Sequence, residues 1–394
     1  MKLKAQIKSI AAQISGEVIG IRRYLHQYPE VSFQEEQTAT YIRKKLDEMD
    51  ISWVPVATNG TLATISGKSD AGMVIALRAD IDALALEERN DIEYCSRNSG
   101  VMHACGHDVH TAILLGVAKI LKMMASCFDG TVKLIFQPAE EILPGGALAV
   151  IRDGVLNNPK VDLIIGEHVM PTLPVGKVGI RKGHFMASMD EISITVKGKG
   201  GHGAQPHQVV DPVVAASTAV VVLQQLIARK SNPSIPSVLS FGKFRADGTI
   251  NIIPDDVLLE GTFRTMDEEW RKSALDEIRR MFCSVVEGLG CSCNINIRNG
   301  FPSLSNPFPI ADAMEKIMVE YLGKEQVVMH DIWMAAEDFS YYAREINSFF
   351  YLLGVGEAGK EVPSLHSSLF NIDEDAIEVG MGTMAYLVLK QLVY

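Results

Sequence analysis

Met102-His103-Ala104-Cys105-Gly106-His107-Asp108-Val109-His110-Thr111-Ala112 sets a thiol, three imidazoles and a carboxylate in one short run, then passes into the apolar, alanine-rich residues 112–124. Locally this is a polar loop feeding a buried helix. Cys and His are the usual borderline-soft metal ligands, and a loop-to-helix junction can splay them toward one point. The run therefore points to a metal site, with a loop of hydrogen-bonded histidines as the plain alternative. In either case its donors need partners from elsewhere in the chain, and where those partners stand decides the fold.

Residues 3–28 and 35–49 carry apolar side chains at helical spacing; the first run ends at Pro29 and has Arg22, Arg23 and His26 on its polar face, where such residues are solvated or pair with neighbours. Residues 61–66 and 73–77 are short apolar segments bounded by glycines and read as strands, the second running into Arg78-Ala79-Asp80-Ile81-Asp82. A more apolar strand, 131–137, delivers Pro138-Ala139-Glu140-Glu141, and another, 161–166, delivers Glu167-His168 at its end. Parallel strands joined by helices bring their C-terminal ends to one edge, which is where open α/β sheets bind ligands. Asp82, Glu140, Glu141 and His168 thereby converge on the loop that carries Cys105 and His107. Consecutive residues cannot point the same way, so one of Glu140 and Glu141 can bind a metal while the other faces a substrate as general base. Asp80 and Asp82 are open between metal ligands and partners that orient ligating histidines, and the second role is preferred.

The character changes from about residue 187. A strand at 189–198, a long apolar helix at 209–228, strands at 237–244 and 256–265, a helix at 267–287 and a strand at 291–297 follow in β-α-β-β-α-β order, the ferredoxin-like pattern. After Pro302 come helical residues 310–322 and 336–344, a strand at 348–353, the segment Pro363-Ser364-Leu365-His366 and a closing helix at 373–392. The expected fold is an α/β catalytic domain, residues 1–186 and 302–394, with a mixed, largely parallel sheet covered by helices. It is interrupted by an inserted α+β ferredoxin-like domain, residues 187–301.

Composition excludes several classes. A chain of 394 residues, 47% hydrophobic and 22% charged, can bury a large core and divides more naturally into two domains than one. Its net charge of -11, with scattered basic residues, argues against a nucleic-acid or anionic-membrane surface and favours a small substrate. The start, Met1-Lys2-Leu3-Lys4, has no signal-peptide core, and no apolar run reaches the ~18 residues of a membrane helix, so a cytoplasmic location is expected. Six cysteines in so long a chain do not make a disulfide framework; Cys291 and Cys293 read as ordinary strand residues, which leaves Cys105.

Six ordered motifs carry a resemblance: Arg23-x-x-His26-x-x-Pro29-Glu30, Arg78-Ala-Asp-Ile-Asp82-Ala-Leu, the Met102 run, Gln137-Pro-Ala-Glu-Glu141, Gly201-His202-Gly-Ala-x-Pro206 and Ala336-Glu-Asp-Phe-Ser340. Together, over essentially the whole chain, they resemble the aminoacylase/carboxypeptidase superfamily of dinuclear metallopeptidases, in its N-acyl-amino-acid amidohydrolase subfamily. The resemblance implies that Cys105, His107, Glu141, His168 and His366 hold two divalent ions per subunit, Mn²⁺, Zn²⁺, Ni²⁺ or Co²⁺. It implies that Glu140 is the general acid/base for a metal-bridging water that attacks the amide of an N-acyl (acetyl or aromatic acyl) amino acid. Dipeptidase or carboxypeptidase action on small peptides is the alternative activity. It further implies a homodimer formed through the inserted domain, with His202 reaching the partner subunit's site as oxyanion donor, and Asn251 and Arg264 on the substrate carboxylate. Without the resemblance, His366 is a structural histidine, His202 an exposed loop histidine, Asn251 a turn amide and Arg264 a strand-surface charge. Two other classes stay open: a Cys105 nucleophile with His107 as base, and ligand binding without turnover.

Overall fold

Ile7, Ile10, Ala11, Ile14, Val18, Ile21 and Leu25 recur at helical spacing and form the buried stripe of helix α1 (Lys2–Gln27) in the computed structural model, which describes residues 2–69, 71–357, 359–360 and 363–393. Helix α2 (Glu36–Glu48) follows a short loop. Helix α3 (His107–Met123) is buried almost all round, as expected of a helix enclosed by other elements, and packs against α1 and the closing helix α5 (Asp375–Leu392). Helix α4 (Phe308–Leu322) packs on α5.

These helices belong to the first of two units, Met1–Gly183 with Ser305–Asp331 and Asp338–Tyr394. Its strands are β1 (Ser52–Val56), β2 (Gly60–Ser66), β3 (Val74–Asp80), β4 (Thr131–Gln137), β5 (Leu163–Pro174), β6 (Val178–Ile180), β7 (Val327–Met329) and β8 (Ser348–Gly356). They form one eight-stranded sheet in the order β1-β2-β4-β3-β5-β8-β6-β7. The central pairs β3/β4, β3/β5 and β5/β8 are parallel, as is β6/β7, while β1/β2, β2/β4 and β6/β8 are antiparallel. Every residue of β3, β4 and β8 is buried, so both faces of the sheet centre are covered. The chain passes from β3 through α3 to β4 and then doubles back across β3 to reach β5, the kind of reversal at which open α/β sheets leave a crevice.

Strand β5 is longer than its apolar core suggests. Glu167 and His168 were expected at its end and lie within it instead. Pairing with β3 stops at Gly166, opposite Arg78, while pairing with β8 continues through Glu167, His168 and Val169, so the ladder on one side carries the strand past the sheet edge.

The second unit, His184–Leu304 with Ile332–Glu337, has its own core around Ile194, Val257, Leu259, Phe263 and Phe282. Strands Asp190–Lys197, Ser237–Arg245, Asp256–Thr265 and Ser292–Asn299 form an antiparallel sheet, with Asp190–Lys197 and Asp256–Thr265 in the middle. Helices Pro212–Gln225 and Glu268–Gly288 pack on it. The stretch Pro212–Lys230 is long and apolar enough by composition to cross a membrane, contrary to the sequence expectation. One face of it, with Ala215, Ala216, Ala219, Leu223 and Leu226, is buried in the core of this unit.

Candidate metal centre

Gly106 makes the junction between the Cys105 loop and α3. Its φ of 87° is left-handed, and a Cβ there would lie 2.4 Å from Val169 Cγ2. This turn starts the helix at His107, so His107 and His110 stand on its first turn and not, as the loop reading had His107, before it. Three residues apart, the two rings share a face.

Their nitrogens are assigned different tasks. The backbone N–H of Val169 donates to His110 Nε2 at 2.9 Å, and His110 Nδ1 meets Asp80 Oδ1 at 2.6 Å, so both of its ring nitrogens are used internally. His107 Nδ1 meets Asp82 Oδ1 at 3.2 Å, leaving Nε2 directed elsewhere. His168 Nδ1 donates to the Val169 carbonyl at 2.8 Å, and its Nε2 lies 3.4 Å from Cys105 Sγ. His366 Nε2 lies 3.3 Å from the same sulfur and 3.4 Å from Glu141 Oε1. Asp82 thus orients His107, a candidate ligand, whereas Asp80 orients His110, which is not one. Asp80 is itself gripped by Arg78, whose other arm reaches Asp338 at 2.7 Å.

Several donor sets overlap: Cys105 with His107 and His168, Cys105 with Glu141 and His366, and His107 with Glu140 and Glu141, the ligand atoms in each within 4.8 Å of one another. Cys105 belongs to two of them, so one thiol serves two adjacent positions. A cation fits here on two grounds. His107 Nε2 and Glu141 Oε1 are buried, 3.8 Å apart, and neither has a hydrogen-bond partner, an arrangement that costs free energy unless something else satisfies both. In addition, burial opposes a charged His107, yet Asp80 and Asp82 outweigh it and push its pKa up to about 10, so the surroundings favour positive charge at this point. For the nucleophile reading the field is adverse. Burial, then the charges on Glu141 and Glu140, raise the Cys105 thiol well above its usual range, the reverse of what a reactive cysteine needs.

His366 stands 198 positions (366 − 168) after its nearest partner in sequence, yet its backbone N–H donates to the Ala104 carbonyl at 2.8 Å. That bond ties the late loop to the Cys105 loop and explains how a histidine with no local signal enters the cluster. His103 takes no part in these donor sets; both of its ring nitrogens are buried and make no hydrogen bond.

Sequence reasoning placed Arg22 and His26 on a polar face, whereas both are fully buried. Arg22 Nε donates to Asp108 Oδ2 at 2.8 Å, His26 Nδ1 meets the same oxygen at 2.8 Å, and His26 Nε2 meets Glu88 Oε1 at 3.0 Å. Burial opposes ionisation of Asp108, but Arg22 and His26 hold its carboxyl well below the usual range. Asp108 therefore anchors α1 to the first turn of α3. A signal existed: Arg22 falls four residues after Val18 and three before Leu25, within the apolar stripe. Asp338, in the quoted Ala336-Ser340 motif, had no assigned role; it accepts from Arg78, from Gln137 Nε2 at 2.8 Å and from the Ala147 N–H at 3.0 Å.

The other candidates lie in the second unit. His202 is exposed on the two-residue strand Gly201–His202, paired with Ile252, and its Nδ1 accepts from the Ala204 N–H at 3.1 Å. Asn251 precedes that partner and accepts the Gly203 N–H on its carbonyl at 2.8 Å, so His202 and Asn251 are neighbours. Arg264 sits on strand Asp256–Thr265, half-buried, and donates to the Met334 carbonyl at 2.9 Å.

Known proteins match this chain over most of its length. The profile described as Peptidase family M20/M25/M40 matches residues 76–390. N-acetyl-L-cysteine deacetylase of Bacillus subtilis (strain 168) is 41% identical over 366 residues, 92% of this chain and 85% of that protein. Thermostable carboxypeptidase 1 of Saccharolobus solfataricus is 35% identical over 398 residues, 99% of each. Among solved structures, the Bacillus subtilis YXEP protein, described as a dinuclear metal binding peptidase from the M20 family, superposes with a TM-score of 0.82 at 36% identity, covering 97% of this chain and 100% of that one.

Proposed function

We propose, from the premise that this chain belongs to peptidase family M20/M25/M40, that it is the hydrolase of an N-acyl amino acid, cleaving the amide to a carboxylic acid and a free amino acid. The observation that carries the reading is the adjacent pair Glu140 and Glu141, which share one donor group with His107, with Glu141 Oε1 left without a hydrogen bond in the cluster. Cys105, His107, Glu141, His168 and His366 would hold two divalent ions, and the mixed thiolate, imidazole and carboxylate set suits Mn²⁺, Zn²⁺, Ni²⁺ or Co²⁺. Such ions supply Lewis acidity at the amide carbonyl and a water acidified toward neutral pH. The Glu140 carboxylate takes the proton of the attacking water and passes it to the leaving nitrogen. Asp82 keeps His107 in the tautomer that presents Nε2, and the Val169 carbonyl does the same for His168.

We assign the second unit, taken as residues 187–301, as a ferredoxin-like domain inserted in a catalytic domain of residues 1–186 and 302–394. Its strand order supports the assignment, because the two strands nearest in sequence to its ends are paired with each other. A homodimer through this domain is supported by its edge strand Ser237–Arg245, which exposes Val238 and Phe244, and by helix Pro212–Gln225, which exposes Val214 and Val221. In that dimer His202 is the oxyanion donor to the partner's site, with Asn251 and Arg264 on the substrate carboxylate; a guanidinium grips both carboxylate oxygens. Inactive His202→Ala and Glu140→Ala proteins, mixed so that subunits exchange, should regain part of the activity. Confirmed heterodimers without recovery would remove the trans arrangement.

The carboxypeptidase relative favours a second reading, peptide cleavage. Metal-reconstituted protein assayed on N-acetyl and N-benzoyl amino acids beside dipeptides and N-blocked peptides separates the two. Acyl amino acids should turn over at least tenfold faster in kcat/KM, and chelator should abolish turnover. Faster peptide cleavage would replace the first reading with the second, and chelator-insensitive activity would end both.

A further inference from the structure

Ala139, immediately before the proposed acid/base, has a φ of 56°, in the left-handed region that side chains disfavour. It is held there from both sides: its carbonyl accepts the Gly146 N–H at 2.8 Å, and its N–H donates to Glu35 Oε1 at 2.8 Å. The turn has little room for adjustment, since a Cβ on Gly146 would lie 1.8 Å from the Pro138 carbonyl oxygen. We propose that Glu35 is a positioning residue for Glu140: its buried carboxylate, by fixing the Ala139 peptide, sets the direction in which the Glu140 side chain leaves the backbone. The proposal rests on the hydrolytic role of Glu140 put forward above.

Glu35 is fully buried. Burial, then the charge on Asp82, raise its carboxyl above the usual range, so a carboxyl group here is unfavourable unless it gains bonds in return. Its bonds are to N–H groups: Oε1 accepts from Ala139 and from Phe33 at 2.9 Å, and Oε2 from Asn59 Nδ2 at 3.2 Å. On the far side of Glu140, the Glu141 N–H donates to Asp82 Oδ2 at 3.0 Å, and the Ser32 hydroxyl donates to that same oxygen at 2.6 Å. The N–H groups flanking Glu140 therefore both end on buried carboxylates. Ser32 and Glu35 belong to one loop, the link between α1 and α2, so a single loop far from Glu140 in sequence controls both anchors. Without the Glu35 acceptor, residue 139 is free to return to negative φ. That rotates the peptide leading into Glu140 and displaces its carboxylate, while Glu141 stays held through its N–H on Asp82 and Cys105, His107, His168 and His366 keep their places.

The test uses the full chain, metal-reconstituted, as wild type, Glu35→Ala and Glu35→Gln. Expected for Glu35→Ala is a fall in kcat of about 10- to 100-fold, the scale of a misplaced catalytic group. KM should change by less than about twofold and bound metal, by elemental analysis, should not change. Amide hydrogen exchange should quicken in the peptide spanning residues 138–146 and remain unaltered in α3. Glu35→Gln should return kcat to within about fivefold of wild type, because its amide oxygen still accepts the Ala139 N–H. Wild-type exchange at 138–146 in Glu35→Ala overturns the clamp, and so does a loss of turnover that only tracks lost metal or lost folded protein. If the wild type hydrolyses no acyl amino acid, the hydrolytic reading fails by itself, and the exchange measurement still decides whether Glu35 holds this turn.

Discussion

Glu140→Gln is expected to lower turnover of N-acyl amino acids by about 10²- to 10⁴-fold, the usual contribution of a positioned general acid/base. Bound metal and thermal stability should stay at wild-type values. The substitution keeps the volume and hydrogen-bonding reach of the side chain and removes its capacity to take a proton. The proposed ligands are untouched by it, since Glu141 supplies the carboxylate whose Oε1 faces His107 and His366. Steady-state kinetics with elemental analysis checks both halves. Turnover within tenfold of wild type would take Glu140 out of the proton transfers. Loss of metal in step with activity would move it into the ligand set, because it shares a donor group with His107 and Glu141.

Gly106→Ala should destabilise the first unit and disturb the donor cluster together. A side chain at φ 87° is strained, and its Cβ would sit 2.4 Å from a methyl of Val169, which is fully buried in β5. Strain of about 1–3 kcal/mol and overpacking of similar size give a loss of about 2–6 kcal/mol in stability. The alternative to accepting that cost is to move Cys105 away from His107, so the variant should also bind metal at least tenfold more weakly. Denaturant titration and metal titration measure the two effects. Adding Val169→Ala should relieve the collision and leave the strain, recovering part of the stability. A single variant with wild-type stability would show that the turn can relax without loss.

Much of this was legible from residues alone. Strands 131–137 and 73–77 announce themselves because buried parallel strands are nearly continuous apolar runs, and the polar residues just after them then fall on one sheet edge. Cys105 and His107 stand out as dense donors, and His168 as a polar residue following an apolar strand. Other features depend on partners that no local pattern encodes. Strand β5 extends past Gly166 only because β8, contributed by residues 348–356, continues to pair with it. β6 and β7 have three residues each, too few to show a period. The sequence predicts a polar face for Arg22 and His26 because exposed charge is solvated, and their burial follows from meeting Asp108 across helices. Glu35, at the start of an acidic helix turn, looks like a residue matched to the helix dipole, and its bond to Ala139 becomes visible only when two loops meet.

The position of β8 has a consequence for how the chain is made. It lies between β5 and β6 in the finished sheet, yet is synthesised after the entire second unit. At ~5–20 residues per second, roughly 10–40 s separate the emergence of β5 from that of its permanent neighbour. During that interval the nascent chain carries β5, whose apolar start is residues 163–166, with an open edge, while the later unit, which includes Ile332–Glu337, is completed only shortly before β8 emerges. Chains interrupted between residues 338 and 347 should thus emerge as a complete later unit joined to an adhesive half-sheet, a natural substrate for chaperones.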